Sequence, residues 1–92
     1  MVTPASEIPG SELVEAGLRD LIDGRHSVAA LIVSIGAPRL RQLGFDIDAP
    51  IDDADQALYL LLAAEDSDGA HGRYNALVRR LVSFERAAAC AD

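Results

Sequence analysis

Residues 27–36 read SVAALIVSIG, and the fold turns on whether this stretch is a helix or a strand. Wrapped as a helix, it is apolar on every face except near Ser34, so in either form it belongs in the interior. A short, continuously apolar run fits a buried strand as well as a buried helix, and its periodicity does not separate the two. Val28, Ile32, Val33 and Ile35 are β-branched and favour a strand. The Ala29–Ala30 pair and the helical patterns on both sides favour a helix, which is the reading adopted here. Ser27 opens the segment and Gly36 ends it.

The neighbouring segments follow a helical period. Ser11 is placed to cap a first helix over Glu12–Asp23. Val14, Gly17, Leu18, Leu21 and Ile22 share one arc of that helix, and Glu12, Glu15, Arg19 and Asp23 fill the other. Gly24 is its stop. After Gly36, Pro38 suits the first turn of a short third helix ending at Leu43, which Gly44 closes. Residues 45–54, FDIDAPIDDA, form a loop that Phe45, Ile47 and Ile51 pin to the core. Asp52 or Asp53 then caps a fourth helix running to about Glu65. The run Leu58, Tyr59, Leu60, Leu61, Leu62 makes that helix apolar all round and places it centrally. Asp66–Gly69 is a turn. A last helix spans Ala70–Ala89, with Tyr74, Leu77, Val78, Leu81, Phe84 and Ala88 in one stripe and Glu85 anomalously within it. Residues 1–10, with Pro4, Pro9 and Gly10, form a loose tail before a single domain over 11–92. The expected fold is all-α: a bundle-like or orthogonal array of four to five helices, with the second and fourth central and the first and last covering them.

Composition agrees with that fold. Half of the 92 residues are hydrophobic, largely Ala and Leu, and there is no Trp. Ala and Leu are the best helix formers. A chain of this length buries only about 60% of the surface its unfolded form exposes, so its core is thin and a partner chain would help to close it. The net charge is -7, and all eight basic residues are Arg. Residues 1–72 carry a balance of -9, whereas residues 73–92 carry +2. The acidic majority argues against nucleic acid as a partner, since phosphate neutralisation dominates that affinity. All-Arg usage fits a GC-rich codon bias first and selection for guanidinium contacts second.

The lone Cys90 excludes a disulfide scaffold. The N-terminus carries no signal-peptide pattern, and the longest apolar run, Val28–Ile35, falls far short of the ~20 residues needed to cross a bilayer. The expected setting is the cytoplasm, with no membrane contact.

Reactive motifs are missing. Asp46, Asp48, Asp52, Asp53 and Asp55 are close enough to suggest Ca²⁺, but neither Asp46 nor Asp66 starts an EF-hand loop: the fifth, sixth and twelfth positions from Asp46 are Pro50, Ile51 and Ala57. Helix capping and complementation of the helix dipole explain these acids better. His26, His71 and Cys90 are not spaced like a zinc motif. No GxSxG surrounds a Ser, and DGAHGR lacks the Lys and hydroxyl of a phosphate loop. The Asp66–Ser67 pair is followed by Asp68, where a carrier-protein attachment site would show a hydrophobic residue. The expectation is a non-enzyme with no metal and no cofactor.

What remains is surface. Arg73 and Arg80 recur at heptad spacing on the last helix, as do Arg79 and Arg86. They either neutralise the acidic segments of the same chain or dock an acidic protein partner or a second copy. Glu85, on the apolar stripe, must find a partner, reach water or shift its pKa. An Arg within the chain or across a dimer is the expected partner. Arg73, Arg79, Arg80, Glu85 and Arg86 are therefore the candidate interaction residues of a small, bacterial-type adaptor or regulatory domain that forms a homodimer. Three rivals compete with that expectation, one of them an enzyme with an unfamiliar site, which would need Glu85, His71 or Tyr74 converging in one cleft. Residues 27–43 have the layout of a helix-turn-helix, with Arg39 and Arg41 on the second helix and Arg25 nearby, though that helix is very short. A small-molecule or metal-binding protein would instead need a cavity between the second and fourth helices, or His26 and His71 converging with an acid.

Overall fold

The protein is all-α. The computed structural model describes residues 10–90, which form five helices and no strand: α1 (Ser11–Ile22), α2 (Val28–Ile35), α3 (Ala37–Gln42), α4 (Ala54–Glu65) and α5 (Ala70–Cys90). The loose tail expected over residues 1–10 lies outside the described residues except for Gly10.

The deciding segment is helical. A strand needs a partner for its backbone groups, and no other described segment is extended to offer one, whereas a helix satisfies those groups within itself. Ser27 caps α2 with its hydroxyl, which accepts from the Ala30 N–H at 3.1 Å. The same hydroxyl donates to Asp20 and so ties the end of α1 to the start of α2. Between them, α1 closes in a Schellman turn: the Gly24 N–H reaches the Leu21 carbonyl and the Arg25 N–H the Asp20 carbonyl.

Burial follows from this arrangement. Ala30, Ile32 and Val33 of α2 are wholly buried, and Leu31 nearly so. Helix α1 packs on α2 through Val14 and Gly17, where a Cβ on Gly17 would overlap the Ala29 carbonyl and the Val33 side chain. Helix α4 packs against both α2 and α5 and buries Ala54, Leu58 and Leu62, one face at i, i+4, i+8 spacing. Its outer face stays in solvent, with Leu60 61% and Tyr59 40% exposed. Helix α5 closes the core with Leu81 and Phe84.

Two expected caps differ. Ser11 is not the cap of α1. Gly10 holds that position in the left-handed region, φ 81°, and Ser11 is buried as the first helical residue. The site demands glycine twice over, because a Cβ there would come 2.7 Å from the Arg80 carbonyl oxygen of α5. Asp53 does sit at the N-cap of α4, but at φ 52° its side chain makes no capping hydrogen bond.

The acidic loop is held from both sides. The buried Ser34 hydroxyl donates to the Ala30 carbonyl at 2.8 Å and accepts from the Ile51 N–H at 2.9 Å. Arg41 donates through Nε and Nη2, at 2.8 and 2.6 Å, to the Ile47 carbonyl. Ile47 is buried beneath that clamp, and the Phe45 ring meets Phe84 at 5.5 Å between centroids.

Candidate interaction surface

The structure divides the five candidate interaction residues between two places. Arg73, Arg79, Arg80 and Arg86 project from the exposed side of α5. Arg73 pairs with Glu65 of α4 at 3.2 Å, the one ion pair among the described residues. Arg79, Arg80 and Arg86 have no carboxylate within pairing distance there, so only one of the four α5 arginines neutralises an acid of the described chain. The acids of the loop, Asp46, Asp48, Asp52 and Asp53, together with Asp55 at the start of α4, are likewise exposed and unpaired among the described residues.

Glu85 belongs elsewhere. It turns inward to the joint between α2 and α3, where its Oε2 would lie 3.2 Å from a Cβ placed on Gly36. Leu81 packs against the same glycine, and a Cβ there would meet both of its methyl groups at 2.9 Å. Burial raises the pKa of the Glu85 carboxyl, and the positive charge of Arg39 partly offsets that rise. The cation that Glu85 senses is therefore on α3 of its own chain rather than on α5.

Groups that would have to converge for chemistry stand apart. His71 lies in the first turn of α5, within hydrogen-bond distance of Asn75, rather than in the turn before the helix. Fourteen positions separate it from Glu85, about 21 Å along a helix axis. Tyr74 stacks on Tyr59, their centroids 6.1 Å apart. Among the described residues no three His, Cys, Asp or Glu side chains gather to hold a metal ion. No helix among the described residues is long and apolar enough to cross a membrane. Of the arginines a DNA reader would use, Arg41 is committed to the Ile47 carbonyl and Arg39 donates to Gln42 at 3.2 Å. Their helix, α3, has only six residues.

Two surfaces lie outside the candidate residues. One is the outer face of α4, legible in the sequence only as an apolar excess on that helix. The other is a groove of about 360 Å³ between the end of α1 and residues 46–49, lined by Leu18, Leu21, Ile22 and Ile47 together with Asp46, Asp48 and Ala49. Ile22 in that groove is 86% exposed. This corrects the expected apolar arc of α1, which included Ile22: the residue falls seven positions after Glu15 and follows that polar line outward. Leu60 likewise shares a helical line with Gln56 and Ala64, opposite Leu58 and Leu62.

Fold and surface together define a small all-α domain with uncovered apolar side chains and unpaired charge. No known family matches the sequence, and no curated protein and no solved structure is significantly similar to it.

Proposed function

We propose that this domain is a non-enzymatic protein–protein interaction module that works by self-association, in the manner of a small adaptor or regulatory subunit of the cytoplasm. The observation that carries the reading is the bare face of α4. Leu60 is 61% and Tyr59 40% exposed, beside a core in which Leu58 and Leu62 are wholly buried. By helical spacing Tyr59, Leu60, Ala63 and Ala64 adjoin, so the apolar surface is continuous. Contiguous apolar patches on small proteins mark contact sites, and a second copy covers such a patch most simply. The exposed Cys90 thiol suits a reducing compartment.

Leu60→Glu tests the reading, because the side chain is in solvent and the substitution leaves the core intact. Light scattering after size exclusion is expected to show a dimer for the native chain and a monomer for the variant, with thermal unfolding of the variant still cooperative. A monomeric native chain, or a variant that dimerises as well as the native chain, would overturn it.

A further inference from the structure

The groove at the end of α1 has a chemistry that selects its occupant. Its lining is aliphatic at Leu18, Leu21, Ile22 and Ile47 and acidic at Asp46 and Asp48. A lining of aliphatic and acidic residues together matches a long basic side chain, which lays its methylene stem on apolar surface and carries its charge beyond it. Arginine fits best, since its planar fork meets carboxylates with two parallel hydrogen bonds. No arginine of the described chain pairs with Asp46 or Asp48. The Arg41 guanidinium beside the loop donates to the Ile47 carbonyl and keeps its charge, so a single cation stands beside the two acids.

The same chain displays the complementary group. Arg79 and Arg86 stand seven residues apart, on one line of the exposed side of α5, without a carboxylate partner among the described residues. Their Cα atoms are about 10 Å apart along the helix, so two long side chains from one helical line can reach a single groove. Between them Ser83, also exposed, is small enough for the helix to approach closely.

We infer that the groove formed by the end of α1 and residues 46–49 receives Arg79 and Arg86 of a second copy of this chain, their stems on Leu21 and Ile22 and their guanidinium groups on Asp46 and Asp48. The inference rests on the self-association proposed above and assigns it a second, polar contact distinct from the α4 face. Contact of this kind sets register and salt dependence more than raw affinity. Self-association is therefore weaker at about 0.5 M than at about 50 mM salt, as the Debye length shrinks.

A charge exchange between two variants tests it. One variant carries Arg79→Glu and Arg86→Glu, the other Asp46→Arg and Asp48→Arg; all four positions are exposed, so both chains should fold, which circular dichroism checks. Each variant alone is expected to self-associate at least about tenfold more weakly than the native chain, as like charges meet at the contact. An equimolar mixture is expected to recover association as a one-to-one heterodimer, because each altered surface then meets its opposite. Native mass spectrometry separates the heterodimer from either homodimer. Variants that self-associate as tightly as the native chain, or a mixture that stays as weak as its parts, would overturn the inference and leave self-association through α4 standing. A monomeric native chain would overturn both.

Discussion

At the scale of single residues, two polar side chains inside the apolar frame behave oppositely. Ser34 is fully used: its hydroxyl joins the Ala30 carbonyl of α2 to the Ile51 N–H of the acidic loop. Ser34→Ala leaves a backbone N–H without a partner and should cost about 1–2 kcal/mol in urea unfolding, with faster hydrogen exchange at the Ile51 amide. Glu85 is under-used. Burial at the α2–α3 joint lifts its pKa above the ordinary 4.5, and Arg39 lowers it only in part. Below that ordinary value both folded and unfolded chains hold the proton, and the residue costs nothing. As pH rises past it the unfolded chain ionises first, and stability falls until the folded carboxyl has ionised too. Glu85→Gln should therefore melt higher than the native chain at pH 7, with the gap closing towards pH 4. A gap that is constant with pH would show that the carboxyl ionises alike in both states. The position of Glu85 on the apolar stripe was legible from helical spacing alone. The influence of the Arg39 charge was not, because α3 comes near Glu85 only once the chain turns at Gly36.

At the scale of elements, the helices were legible because each carries its own period and stop. The Pro38 start, the Gly24 and Gly44 stops and the five-helix order follow from local chemistry. The ambiguity at Val28–Ile35 was a matter of β-branched composition against context, and context decided it: a lone strand in a helical chain has nowhere to place its hydrogen bonds. Caps were less legible. Ser11 looks like an N-cap from its chemistry, but the packing of α1 on α5 at Arg80 leaves room only for Gly10 there. The close approach of α1 and α2 gives the prediction at this scale. Gly17→Ala should gain up to about 1 kcal/mol in helix propensity but lose more by overpacking against Ala29 and Val33, for a net loss of roughly 1–2 kcal/mol by urea unfolding. A more stable variant would show that the two helices part freely.

At the scale of the whole molecule, a thin core governs the behaviour. The five described helices bury the line of Ala54, Leu58 and Leu62 on α4 and leave Leu60 exposed, with Ile22 beside a groove that Asp46 and Asp48 help to line. The sequence showed an excess of apolar residues on the fourth helix. Which of them faces outward depended on α2 and α5 both packing on one side of it. The groove was not legible, since it joins the end of α1 to a loop more than twenty residues away that Arg41 and Ser34 hold in place. Charge segregation was legible as a difference between the two ends of the chain, but that the arginines of α5 do not neutralise the acids of the described fold required the structure. Helix α3, short and with Arg41 committed to the loop, is poorly suited to entering a DNA groove, so charge and apolar surface alike favour a protein partner. The central claim is that this partner includes a second copy of the chain. Sedimentation equilibrium of the native protein across a concentration series tests it most directly: the account predicts a species of twice the 9.7 kDa chain mass that dissociates on dilution, and a single 9.7 kDa species at every concentration would contradict it.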